Sequence, residues 1–253
     1  MDAVPLDWLR AVYDEWGRGN FQAGADRLAP EFEFGMTQDF PDPVSGVRAE
    51  GLRDAWRGFL GSWSHVRMES EEIVAAGDRA LVLVVQTGTG RTSGIETSMR
   101  YFHVWRFRDG RTLGLNMLLD EGAAHAEQLR GLYDAWGRGD FDTGVDLFAP
   151  DLEFITSEGF PDAPPPGEDI ERVARWRDQF LATFQDLRIE ALELEPNGER
   201  VLARVRQRGR FRATGIDVDV TYFQLWTFRG GHAARFQVFA PTAEDEARAA
   251  ADT

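Results

Sequence analysis

The chain has 253 residues, a formal net charge of −15, 43% hydrophobic residues, eight Trp and eighteen Phe, and contains neither cysteine nor lysine. The two missing residue types exclude disulfides, thiolate nucleophiles, cysteine-held zinc and Schiff-base lysines. The charge, about −5 on residues 1–120 and about −10 on the remainder, would repel a phosphate backbone, so no nucleic acid partner is expected.

The sequence is written twice. YDEWGRGNF at 13–21 returns as YDAWGRGDF at 133–141, and 13 of 23 positions are identical between Val12–Phe34 and Leu132–Phe154. Each unit has about 120 residues, too many for a solenoid repeat of roughly 20–50. Each copy should therefore carry its own core, with domains at 1–120 and 121–253.

In chain order, Trp8, Leu9, Val12, Tyr13 and Trp16 keep helical spacing, and Gly17 and Gly19 end that helix. A second short helix is predicted over 21–28, followed by a strand in EFEFGM with Phe32, Phe34 and Met36 facing inward. Loops rich in proline and turn residues follow at 39–46 and, in the second copy, at 160–169. A third helix over 50–63 puts Leu52, Ala55, Trp56, Phe59 and Trp63 on one side, answered with a one-residue shift by Val173, Trp176, Phe180 and Phe184. Strands are predicted over 66–74, 79–87, 95–108 and 113–119, with hairpin turns at RDGR (108–111) and RGGH (229–232). Three helices followed by an antiparallel meander make an α+β pattern.

Residues 121–136 run directly into the first helix of the second copy through Ala126, Leu129, Leu132, Tyr133 and Trp136. So short a tether favours docking of the copies as an intramolecular pseudo-dimer in a monomeric chain. No charged-then-apolar leader opens the chain and no apolar run approaches a membrane span of about 18 residues, so a cytoplasmic protein without a membrane partner is expected. The alternate arginines Arg204, Arg206, Arg208, Arg210 and Arg212 read as one solvated or interface face of a strand.

SGIETSMRYFHVWRFRDGR at 93–111, its second version TGIDVDVTYFQLWTFRGGH at 214–232, and the YDxWGRGxF…APxxEF opening resemble the SnoaL-like proteins of the nuclear transport factor 2-like superfamily. The resemblance covers nearly all of both copies. It implies two tandem cone-shaped α+β domains, each a curved antiparallel sheet wrapped around three helices and a deep pocket, and it explains the repeat as a fused dimer. It does not by itself choose a function, because such proteins include polyketide cyclases, ketosteroid isomerases, epoxide hydrolases, dehydratases and non-catalytic members.

Strand parity supplies the pocket candidates. Ile95, Thr97, Met99, Tyr101, His103, Trp105 and Phe107 share one face, as do Ile216, Val218, Val220, Tyr222, Gln224, Trp226 and Phe228; Gln86 and Gln207 join from the neighbouring strands. With Trp16, Phe34 and Trp56, and with Trp136 and Trp176, they form an aromatic lining with a few polar groups, suited to a small hydrophobic ligand. His103 is the candidate acid/base catalyst, because an imidazole with an ordinary pKa near 6.5 exchanges protons around neutrality. Tyr13 and Tyr101 are the companion catalytic candidates, as oxyanion donors or orienting groups. The bland alternatives are a hydrogen-bonded core histidine and packing phenols, and Gln224 in the second copy cannot replace an acid/base group.

The resemblance also shows departures. Where it places catalytic aspartates this chain has Met36 and Thr156, or Met117 and Val238, while Asp39, Asp42 and Asp120 are candidates at the pocket rim. Glu33 and Glu153 should face outward beside Arg100 or Arg106 in cross-strand pairs. The histidines at 65, 103, 125 and 232 lack metal-ligand spacing, and no glycine pattern precedes a helix as phosphate cradling requires, so neither metal nor other cofactor is expected. Two functions follow: cofactor-independent cyclisation, isomerisation, dehydration or epoxide opening of a small hydrophobic metabolite, or binding of such a molecule without chemistry. An interaction module is the third reading.

Overall fold

The computed structural model describes residues 4–40, 43–156 and 170–252. They form two compact units, Met1–Ala124 and His125–Thr253. In the first, α1 (Leu6–Gly17) is followed by a 3₁₀ turn at Ala25–Arg27, β1 (Leu28–Met36), β2 (Val47–Arg48), α2 (Ala49–Gly61), β3 (Trp63–Ala76), β4 (Arg79–Gly90), β5 (Glu96–Arg108) and β6 (Arg111–Leu118). The second has α3 (Glu121–Gly137), a 3₁₀ turn at Val145–Leu147, β7 (Phe148–Thr156), α4 (Ile170–Ala182), β8 (Phe184–Asn197), β9 (Arg200–Phe211), β10 (Asp217–Arg229), β11 (His232–Phe239) and α5 (Glu244–Asp252). The unit boundary falls inside α3.

The sheets run β2-β1-β6-β5-β4-β3 and β7-β11-β10-β9-β8. The meander is antiparallel as expected, but β1 and β7 add to β6 and β11 in parallel. Each long outer strand carries two irregularities, in β3 between Trp63 and His65 and between Ser70 and Glu72, in β8 between Gln185 and Arg188 and between Ala191 and Glu193. Such bulges bend and twist a strand. The hairpin at Asp109-Gly110 has positive φ at both residues, the geometry that matches a two-residue turn to the twist of its strands.

Helix α1 buries Leu9, Val12, Tyr13 and Trp16, one stripe at helical spacing. It stops where Gly19 adopts φ +85° and its N–H bonds the Trp16 carbonyl at 3.0 Å; Gly139, at φ +86°, does the same to Trp136 at 2.9 Å. The stripe lies on the inner face of the first sheet with Phe32, Phe34, Val82, Val84, Tyr101, Trp105 and Phe107. The short helix expected over 21–28 is reduced to turns and one 3₁₀ turn.

The parity reading fails at the strand ends. Ile95 and Ile216, expected inside, are 62% and 60% exposed at hairpin tips, and Thr97 is exposed as well. The outward residues Phe102 and Val104 are buried instead, in a second cluster with Leu81, Leu118 and Ala124. In the second unit α5, which sequence reading missed, sets Ala247 and Ala251 against Leu202, Phe223, Leu225 and Phe239. Arg248 on α5 bonds Glu195 and Glu244.

Along β9 the arginines are paired with acids: Arg204 with Glu193, Arg206 with Asp219, Arg208 with Glu190 and Arg210 with Asp217. Glu33 and Glu153 pair with Arg48 and Arg235, their neighbours across the strand, rather than with Arg100 or Arg106. Among the described residues no helix is long and apolar enough to cross a membrane.

Gly88 on β4 and Gly209 on β9 hold the same place. A Cβ at Gly88 would stand 2.6 Å from the Trp63 ring and 2.9 Å from the His65 carbonyl oxygen. Gly88→Val should therefore destabilise the protein by about 1–3 kcal/mol, the usual cost of overpacking, as a lower urea midpoint.

Candidate functional site

In each unit a buried phenol ties the first helix to the sheet. In the first, the Trp105 Nε1–H donates to the Tyr13 hydroxyl at 2.9 Å, and that hydroxyl lies 2.6 Å from His103 Nδ1. Indole can only donate, so the Tyr13 oxygen is the acceptor of that bond, and the Tyr13 hydroxyl and His103 Nδ1 share one further hydrogen. His103 is fully buried, and Nε2 has no partner. Burial pushes the His103 pKa down to about 3 and raises those of Tyr13 and Tyr101. Separately, the Tyr101 hydroxyl donates to Gln86 Oε1 at 2.9 Å.

The second unit repeats the relay with one substitution. Trp226 Nε1–H donates to the Tyr133 hydroxyl at 2.8 Å, and Tyr133 donates to Gln224 Oε1 at 2.5 Å. Gln224 Nε2 gives one hydrogen to the Tyr222 hydroxyl at 3.3 Å, and Tyr222 donates to Gln207 Oε1 at 3.1 Å. Replacing imidazole by a carboxamide thus joins the two hydrogen-bonded groups of the first unit into one chain. Both phenols are held protonated, chiefly by burial.

The cavities differ more than the relays. The second unit holds one of about 210 Å³, walled by Trp136, Phe141, Phe148, Phe154, Val173, Trp176, Phe180 and Ile189 and reaching Tyr222, Gln224 and Val238. Arg177 also lines it, its guanidinium bonded to Asp178. The corresponding groove of the first unit is larger, about 640 Å³, but its walls end at Trp16, Trp56, Trp105 and Leu115 without reaching Tyr101 or His103, and it carries Arg53, Arg57 and Arg91.

The cause is visible residue by residue. Helices α2 and α4 have 13 residues each and precede strands at the same offset, so Arg177 holds the place of Trp56 and Trp176 that of Ala55. One residue is a turn of about 100° around a helix axis. Trp56 meets Trp16, Phe21, Phe34 and Phe59 at ring distances of 5.6–6.2 Å. Trp176 lies on Phe154 and Phe180, the counterparts of Phe34 and Phe59, at 5.0 and 5.5 Å. Deeper, Met68 and Met117 fill the first unit where Ile189 and Val238 stand in the second.

Of the sequence-predicted lining residues, Ile95, Thr97 and Ile216 are exposed at the strand ends, and the cavities do not touch all of the others. Trp16, Trp56 and Trp105 border the first groove, and Phe34, Gln86, Tyr13, Tyr101 and His103 are packed behind it. Trp136, Trp176, Tyr222 and Gln224 border the second cavity, with Gln207 and Trp226 behind. Of the rim acids, Asp39 is exposed, Asp120 accepts the Ala123 N–H at the start of α3, and Asp42 lies outside the described residues, as does loop 160–169. Sequence reading set Val173 on the inward side of its helix without assigning it to the pocket, and missed Ile189. The described residues include no cluster of histidine and carboxylates able to hold a metal ion.

The model of the SnoaL-like domain matches residues 9–113 and 129–236. The chain therefore belongs to the SnoaL-like family and carries its domain twice. No curated protein matches it. Solved structures similar to one copy include an NTF2-like protein from Burkholderia thailandensis (23% identity, 46% of this chain and 90% of that one, TM-score 0.42). Another is an NTF2-like protein of unknown function from Burkholderia pseudomallei (20%, 46% and 89%, 0.39). A third is IdmH from Streptomyces antibioticus, described as a proposed polyketide cyclase (19%, 49% and 96%, 0.39).

The depressed pKa of His103 makes folding compete with its protonation. The unfolded imidazole binds a proton below about pH 6.5, whereas the folded one stays neutral until about pH 3. Stability is therefore full above pH 6.5 and lost as pH falls towards 3. Between pH 7.5 and 5.0 the wild type should lose about 2 kcal/mol more than His103→Gln, measured by urea unfolding of both. The His103 ring protons should not titrate over that interval by NMR.

Proposed function

We propose that this chain binds a small, largely apolar molecule, without a cofactor, in the cavity of its second SnoaL-like copy. The observation that carries the reading is the convergence of a mainly aromatic and aliphatic cavity on Gln224 and Tyr222. Concave apolar pockets with a few placed polar groups are the usual form of small-molecule sites. The polar groups at its floor are an amide and a high-pKa phenol, which orient and polarise an oxygen but do not abstract a proton near neutrality.

The second reading is conversion in the first copy, with His103 moving the proton and Tyr13, Tyr101 and Gln86 orienting it or the substrate. It is favoured by the buried, unpartnered Nε2 of His103. For that chemistry the groove would have to open past Trp16 and Trp56, which stand 5.7 Å apart.

Native mass spectrometry of the protein purified gently from its own host is expected to show one small molecule per chain. Val238→Met, which installs the first copy's residue at the cavity floor, should weaken that binding about tenfold or more, equivalent to about 1.4 kcal/mol. Two molecules per chain, or unchanged binding by the variant, would remove the assignment. Once the molecule is known, its turnover by wild type and loss of turnover in His103→Gln would establish the second reading, and turnover retained in that variant would dismiss it.

A further inference from the structure

The groove of the first copy differs from the cavity of the second in charge as well as in depth. Its walls carry Arg53, Arg57 and Arg91 and, among the described residues, no carboxylate, in a chain whose acids outnumber its basic residues 43 to 28. In the common register of α2 and α4, Ala174 and Asp178 stand in the places of Arg53 and Arg57. Two of the three cations therefore belong to the first copy alone.

Little of this charge is neutralised. Arg57 bonds Asp54 at 2.7 Å. Arg91 gives its Nε–H to the Gly61 carbonyl at 2.8 Å and an Nη2 hydrogen to that of Trp63 at 2.7 Å. These bonds fix the guanidinium at the end of α2, but carbonyls carry no net charge to cancel its own. Among the described residues neither Arg53 nor Arg91 meets a carboxylate.

The groove is also long. From α2 it takes Ala49, Leu52, Trp56, Leu60 and Gly61 together with the two arginines, one stripe at three- and four-residue spacing over the whole helix, about 18 Å at 1.5 Å per residue. Phe21, Leu28, Phe32 and Leu115 complete the apolar wall, while Arg53, Arg57 and Arg91 are exposed along the rim. An elongated apolar trough with a cationic rim matches a molecule with an extended apolar tail and an anionic head, since a guanidinium fork takes a carboxylate with two parallel hydrogen bonds.

We propose that the groove of the first copy is a second binding site, for a medium-chain acyl carboxylate whose tail lies along α2 and whose head is held by the arginine rim. The site is separate from the cavity of the second copy and stands whether or not that cavity holds a ligand. An occupant held at an exposed rim dissociates on dilution, so the native mass spectrum expected above is unchanged.

Three probes with the same decyl chain test it at neutral pH, below their micelle-forming concentrations: decanoate, 1-decanol and decyltrimethylammonium. Titrations of the full chain are followed by ¹H–¹⁵N NMR of the eight indole N–H groups, with Trp56 and Trp136 assigned by the signals lost in Trp56→Phe and Trp136→Phe. Decanoate should shift Trp56 and bind about three- to tenfold tighter than decanol, the range of a few exposed charge contacts. The ammonium should bind weakest, and the margin should shrink as salt is raised. The double variant Arg53→Ala/Arg57→Asp, which installs the residues of the second copy, should lose the preference for decanoate over decanol and keep its affinity for decanol.

Equal affinities of decanoate and decanol in the wild type overturn the proposal, and do so even if the variant fails to fold. A preference that survives unchanged in the double variant overturns it too, as do shifts confined to Trp136 or a failure of all three probes to bind. None of these outcomes bears on the cavity reading, which Val238→Met tests by itself.

Discussion

A buried phenol that receives one hydrogen bond and shares in a second organises each half of this protein. The indole of Trp105 or Trp226, on the sheet, can only donate. Its acceptor is the hydroxyl of Tyr13 or Tyr133, on the helix, which also bonds His103 or Gln224 on the sheet. Helix and sheet are thus held in register by a polar contact within an apolar interface, where leaving either group unmet costs about 1–3 kcal/mol. What sits at the receiving end then sets the character of the pocket floor. Imidazole ends the relay in the first copy. The carboxamide of Gln224, which has both an acceptor and donors, passes it on to Tyr222.

The cavities follow from side-chain placement on a nearly common backbone. A single step along a helix changes which position carries the tryptophan that lines each groove, and sets Arg177 in the place of Trp56. Two methionines at the floor of the first copy become isoleucine and valine in the second. Each is an apolar exchange that leaves the hydrophobic pattern intact, and together they decide whether a molecule can reach the polar floor. Core packing at near-crystalline density makes differences of one or two methylenes count.

Much of this was legible in the sequence. Period-two alternation found the inner faces of β5 and β10, and helical spacing found α1 and α3. The repeat located both copies of the relay tyrosines. Parity misled at Ile95 and Ile216 because alternation says which side a residue takes and not whether anything covers that side. Helix α5 was overlooked because EDEARAAAD has no large apolar stripe, although strong helix formers after an acidic first turn were signal enough. The depressed pKa of His103 was not legible, since the ordinary value near neutrality assumes water around the ring.

Two sheets built from near-copies of one sequence also face a problem of mistaken identity during folding, when a strand from one half could enter the other. The paired arginines of β9 bear on it. In the common register Arg206 and Arg208 correspond to Val85 and Thr87, whose partners across the first sheet include Arg100 and Arg67. Inserted there, β9 would meet those two arginines but also Glu69, Glu72 and Glu96, so its charges discriminate little on that side. The converse exchange would put β4 against Asp217, Asp219, Glu190 and Glu193 with Leu83, Val85, Thr87 and Thr89 in place of four guanidinium groups. The ion pairs contribute little to the stability of the finished surface, yet their loss makes β4 a poorer occupant of the second sheet than β9.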